Sequence, residues 1–157
     1  MVKTLTEGQP APDIELPADG GRSFSLAGHK GRKLVVYFYP KDDTPGCTTE
    51  AIDFSALGDA FAATDTEVVG ISVDSADSHD QFKNKHNLNV VLASDENKDV
   101  VQAYGVWGER SMYGRTFMGI ERSTFLIDRQ GNIARIWRKV KVPGHAQEVL
   151  EAARALQ

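Results

Sequence analysis

Lys33-Leu-Val-Val-Tyr-Phe-Tyr-Pro-Lys-Asp-Asp-Thr-Pro-Gly-Cys-Thr-Thr-Glu50 holds the decision about the fold. After Lys33, the run to Tyr39 is apolar, β-branched or aromatic with little alternation, the pattern of a strand covered on both faces. Pro40 ends it, because proline brings no N–H to a ladder. Lys41-Asp-Asp-Thr-Pro-Gly46 is rich in turn formers. Cys47-Thr-Thr-Glu50 then opens a helical pattern in which Phe54, Leu57 and Phe61 form one apolar stripe.

Working outward, Pro10 and Pro12 bias the N-terminal arm away from helix. Asp19-Gly-Gly21, between Ile14-Glu-Leu16 and Ser23-Phe-Ser-Leu26, signals a β-hairpin. Downstream, Glu67 to Val73 reads as a second buried strand, and Ser75 starts a helix running towards His86. Val90 to Ala93 is a third short strand, and Asp95-Glu-Asn-Lys98 opens a short helix ending near Gly105. Glycines at 105, 108, 114 and 119 make most of 105–119 read as loop. Arg122 to Asp128 and Ile133 to Trp137 form a strand–turn–strand unit. Helix follows from His145 to Leu156. The order β-α-β-α-β-α-β-β-α, with an N-terminal β-hairpin, predicts an α/β fold with a mixed central sheet and helices on both faces. Residues 1–157 are expected to form one domain.

Composition narrows the function. Among 157 residues, 18 Lys+Arg against 22 Asp+Glu leave a net charge of −4, which favours neither nucleic acid nor an acidic membrane surface. The N-terminus shows no apolar run of a signal peptide, and Leu34 to Tyr39 is too short to span a bilayer. A cytoplasmic location is therefore expected. The single cysteine excludes an intramolecular disulfide, a CxxC redox pair and a cysteine-rich zinc site.

Cys47 follows a buried strand and a Pro/Gly turn and falls in the first turn of a helix. Open α/β sheets place ligand sites beyond the carboxyl ends of their strands. A helix N-terminus offers unpaired N–H groups and partial positive charge, which favour a thiolate. Thr44 adds a hydroxyl able to donate to one oxygen and accept from another, and Pro40 can wall one side of the site. Most free cysteines are small buried hydrophobes. The polar, turn-forming Asp42-Asp-Thr-Pro-Gly46 before this one argues against that role.

The spacing Pro40-x-x-x-Thr44-x-x-Cys47 resembles the active-site signature of peroxiredoxins. Tyr39 to Glu50 is similar to the subgroup called peroxiredoxin Q or bacterioferritin comigratory protein, and Tyr104-Gly-Val-Trp-Gly108 and Tyr113 to Ile120 extend the likeness. Arg122-Ser-Thr-Phe-Leu-Ile-Asp128 supplies the arginine that the family places beside its reactive cysteine. The resemblance runs from about residue 8 to the C-terminus. It implies a thioredoxin-like fold, thiol-dependent reduction of hydrogen peroxide and organic hydroperoxides, catalytic Cys47, Thr44, Pro40 and Arg122, and no cofactor or metal. It also implies that Glu50, well placed to cap its own helix, helps to orient the arginine.

At pH 7 a free cysteine with a pKa of about 8.5 is roughly 3% thiolate, so full ionisation gains only about 30-fold. Larger acceleration has to come from holding the peroxide and stabilising the stretched O–O bond. Many peroxiredoxin Q members carry a resolving cysteine five residues after the first, where this chain has Ile52. The expected cycle is therefore of the one-cysteine type, recycled by external thioredoxin, glutaredoxin or glutathione. Two readings of Ile52 stand: a second buried face with Ala56, Ala60 and Ala63, or an exposed apolar spot where a reductant docks.

The remaining features read blandly. His29, His79, His86 and His145 show no metal spacing and are expected at the surface. Asp95, Glu96 and Asp99 suit a helix N-terminus. The basic run Arg135 to Lys141 reads as a strand with solvated alternate positions, and Trp107 and Trp137 as core or site-wall residues. A monomer is expected. The rival to the enzyme is a redox sensor or thiol-reactive binding module, distinguished by reacting about once instead of turning over.

Overall fold

A computed structural model describes residues 5–157, with the Met112 side chain excepted. The N-terminal hairpin pairs β1 (Glu15–Pro17) with β2 (Ser23–Ser25) around a 3-10 turn at Asp19–Gly21, as its sequence predicts. Strand β3 (Lys33–Phe38) is buried at every position. Helices α1 (Pro45–Ala56) and α2 (Gly58–Ala63), strand β4 (Thr66–Ser72), helix α3 (Ala76–His86), strand β5 (Val91–Ser94) and helix α4 (Asp99–Ala103) follow. Strands β6 (Trp107–Met112), β7 (Arg115–Ile120), β8 (Ser123–Ile127) and β9 (Ile133–Trp137) lead to helix α5 (His145–Ala155). Five strands form the central sheet in the order β5-β4-β3-β8-β9. β3, β4 and β5 run parallel, while β8 and β9 pair antiparallel. This is the mixed sheet expected of a thioredoxin-like fold.

The lack of alternation in β3 follows from its position. Leu34, Val36 and Phe38 enter one core with Phe125, Tyr104 and the N-terminal hairpin's Phe24. Val35, Tyr37 and Tyr39 enter the other, with Phe54 and Phe61 of α1 and α2, Phe82 of α3, and Val149 and Leu150 of α5. The central strand thus needs apolar side chains on both faces, and its C-terminal end opens between the layers.

Four expectations need correction. The single helix read through Phe54, Leu57 and Phe61 breaks at Leu57. Asn89 Nδ2 donates to the Ser55 carbonyl at 2.9 Å, and a Cβ on Gly58 would come within 3.0 Å of the same amide. Segment 105–119 is largely the β6–β7 hairpin, closed by Tyr113 and Gly114 at φ 53° and 75°. A two-residue turn with both φ positive matches the twist of paired strands, so the glycine that looked like a breaker is the hairpin's own turn. The strand in the basic run ends at Trp137, leaving Arg138 to Lys141 outside it. α4 begins at Asp99, not Asp95; the Asp95 carboxylate still accepts from the Val101 N–H at 2.8 Å.

Candidate active site

Helix α1 begins with Pro45 at its first turn, where the missing N–H costs nothing. Thr44 is its N-cap, in extended conformation, but its hydroxyl turns back and donates to the Lys41 carbonyl at 2.9 Å. Among the described residues no side chain caps the terminus. The N–H groups of the first turn, around Gly46 and Cys47, therefore stay available to a ligand.

Cys47 is 1% exposed. Its Sγ accepts from Arg122 Nη2 at 3.3 Å, across 75 residues of chain. Sheet register makes that meeting: Ser123 pairs with Phe38, so Arg122 comes level with the end of β3, from which the loop leads into α1. The approach is close enough that a Cβ on Gly46 would lie 3.2 Å from Arg122 Nη2. Arg122 Nη1 donates to Glu50 Oε1 at 2.6 Å, an ion pair in which Glu50 is almost fully buried. Burial pushes the Glu50 carboxyl up to about 7, and the Arg122 charge pulls against that rise. Burial works against the Arg122 charge in turn, but Glu50 and Cys47 outweigh it and hold the guanidinium protonated.

The structure thus brings Cys47, Arg122 and Glu50 into contact, with Thr44 at the head of the same helix. Pro40 lies exposed on the loop that joins β3 to α1, directly after buried Tyr39. Glu50 bonds the arginine and caps nothing, which settles its two readings in favour of the ion pair. Its spacing was the available signal, since residues three apart share a helix face. Ile52 is 44% exposed and Ala56 and Ala63 are exposed too, so the second buried face is not formed.

Two histidines depart from the surface expectation. His79 on α3 is fully buried, its Nδ1 2.7 Å from Asp42 Oδ2 and its Nε2 2.9 Å from the Ala93 carbonyl. The Ala93 carbonyl can only accept, so Nε2 donates, and the Asp42 carboxyl beside Nδ1 favours the charged ring. Burial opposes that charge, but the bond to Asp42 and its charge prevail and raise the pKa. Asp42 also takes the Tyr39 hydroxyl at 2.5 Å and Ser78 Oγ at 2.8 Å, so this network sits beneath the loop that carries Pro40 and Thr44. His145 at the start of α5 is buried, with Nε2 2.8 Å from Thr124 Oγ1. Burial pushes it down to about 4, Glu148 pulls the other way, and the Arg122 charge reinforces the fall. Among the described residues no three His, Cys, Asp or Glu side chains cluster to hold a metal, and no helix is long and apolar enough to cross a membrane.

Residues 7–136 match the AhpC/TSA family. Peroxiredoxin Bcp of Bacillus subtilis is 48% identical over 148 residues, covering 94% of each chain. Peroxiredoxin Bcp of Escherichia coli is 39% identical over 146 residues, 93% of this chain and 94% of that one. Among solved structures, the bacterioferritin comigratory protein of Xanthomonas campestris superposes with a TM-score of 0.89 at 44% identity, covering 96% of this chain and 98% of its own. Xylella fastidiosa PrxQ gives 0.92 at 39% identity, with 98% of each covered. The cysteine at the head of α1, the Arg122 contact and these likenesses converge: the chain belongs to the AhpC/TSA family.

Proposed function

We propose that this protein is a thiol-dependent peroxidase that reduces hydrogen peroxide and small organic hydroperoxides. The observation that carries the reading is the Cys47 sulfur 3.3 Å from the half-buried Arg122 guanidinium, at a helix terminus that no side chain among the described residues caps. The Cys47 thiolate attacks the terminal peroxide oxygen. An S–O bond forms as the O–O bond breaks, sulfur is oxidised to sulfenic acid, and the leaving alkoxide or hydroxide takes a proton from water. Arg122, the Thr44 hydroxyl and the first-turn N–H groups stabilise charge on both oxygens, and Pro40 shields the site. Alkyl peroxide reduction by the Xanthomonas relative supports the organic substrates.

Two different cysteine-to-serine variants of the Xanthomonas peroxiredoxin have been solved. This chain has one cysteine in all. Its sulfenic acid is therefore reduced by an external thiol: thioredoxin, glutaredoxin or glutathione. We place it in the cytoplasm as a monomer. Peroxide consumption with dithiothreitol, glutathione/glutaredoxin and thioredoxin systems in parallel tests the reading. Many turnovers that vanish in Cys47→Ser are expected; a single stoichiometric reaction with every thiol would make it a sensor instead.

A further inference from the structure

Beyond β9 the chain wraps a surface hollow of about 530 Å³, lined by Trp137, Arg138, Lys139, Lys141, His145 and Glu148 among others. Three cations line it in a protein whose net charge is −4, of which Arg138 stands over the Phe125 ring at 5.6 Å while Lys139 and Lys141 are exposed. Among the described residues none of the three has a carboxylate within ion-pair distance, whereas Glu148 is taken up by Trp137 Nε1 at 2.6 Å and by Arg135. The start of α5 also lines it; its N-cap Gly144 has no side chain to offer, although the His145 N–H is taken by the Val142 carbonyl at 3.1 Å. The hollow therefore combines the charges of Lys139 and Lys141 with the first-turn N–H groups of α5 beyond His145, the chemistry that holds carboxylates.

It also abuts the cysteine's own neighbourhood. The Val140 N–H donates to the Arg122 carbonyl at 3.0 Å, joining the cationic loop to the residue that touches Cys47. The His145 ring stands edge-on to Phe54 with centroids 6.1 Å apart. Phe54 shares helix α1 with Cys47.

We infer that this cationic hollow binds the carboxylates of a small acidic thiol and so delivers it to the Cys47 sulfenic acid. The inference rests on the peroxidase reading and names the class of its reductant. The thiolate attacks the sulfenic sulfur, forming a mixed disulfide as hydroxide leaves and is protonated to water. A second thiolate attacks the small-thiol sulfur of that bond, releasing the symmetrical disulfide and Cys47 thiolate. Two thiols are oxidised for each sulfenic acid reduced.

The test compares glutathione, which carries two carboxylates, with uncharged 2-mercaptoethanol as reductants of the peroxide-oxidised full-length protein. The readout is the ratio of their rate constants. In Lys139→Gln/Lys141→Gln the ratio should fall about tenfold, two exposed charge pairs at the upper end of their usual worth. Added salt should lower the wild-type ratio in the same direction, and Lys139→Glu/Lys141→Glu should lower it further. An unchanged ratio overturns the inference. If peroxide yields no sulfenic acid at Cys47, the peroxidase reading itself falls; a protein that oxidises and recovers with dithiothreitol while the ratio stays fixed loses only the hollow.

Discussion

Arg122 serves two partners with two nitrogens, Cys47 through Nη2 and Glu50 through Nη1. That division has a consequence for rate. If the guanidinium only ionised the thiol, its loss would matter little once the thiol is already ionised. If it also holds the oxygens of a stretching O–O bond, the loss persists at any pH. Arg122→Ala should therefore slow peroxide attack by about 10²–10³, the usual cost of removing a donor aimed at developing charge. The measurement is stopped-flow oxidation at a pH where the variant's thiol is fully ionised. A near-wild-type rate there would refute a role beyond ionisation. Arg122→Lys should not restore the rate, because one ammonium cannot reproduce a fork held between Glu50 and the sulfur.

At the scale of elements, the loop from Pro40 to Thr44 is held from below by α3. His79 grips Asp42, and Asp42 also takes Tyr39 and Ser78. The His79 pKa is raised above its ordinary 6.5, so this grip contributes full stability below pH 6.5 and loses it as pH rises through the folded value. His79→Gln should destabilise the protein by about 3 kcal/mol, since it leaves the buried Asp42 without its charge partner. It should also remove part of the fall in melting temperature on the alkaline side. An alkaline slope identical to wild type would show that the ring is not charged. The same elements show what could be read in advance. β3, α1 and β8 were legible because burial on one or two faces writes itself into apolar pattern. The β6–β7 hairpin was not: Tyr113, Phe117 and Met118 are exposed, and pairing rests on backbone bonds that leave no period in the side chains. His79 was hidden for another reason, its partner lying 37 residues earlier in a loop. Only its spacing to Phe82 on the same helix face hinted at burial.

Across the whole molecule, the Arg122 charge acts on two buried titratable groups on different helices, pulling down the pKa of Glu50 of α1 against burial and that of His145 of α5 together with burial. Cys47, Thr44 and Arg122 could be picked out by motif, but this balance depends on tertiary burial that no local pattern encodes. Its pH signature follows from the signs. Glu50 rises from 4.5 to about 7, so the folded state binds the extra proton and stability falls as pH climbs through that interval. His145 drops from 6.5 to about 4, so the unfolded state binds the extra proton and stability increases as pH climbs from 4 to 6.5. The two slopes oppose each other over most of the same window. Glu50→Gln should leave the His145 slope uncovered, making the protein lose stability on acidification more steeply than wild type. His145→Asn should do the reverse, and the double variant should return close to the wild-type slope. Urea melts across this range read the slope separately from any overall destabilisation that either substitution brings. Single variants whose profiles run parallel to wild type would mean that neither group titrates differently on folding, and the opposed pair around Arg122 would have to be abandoned.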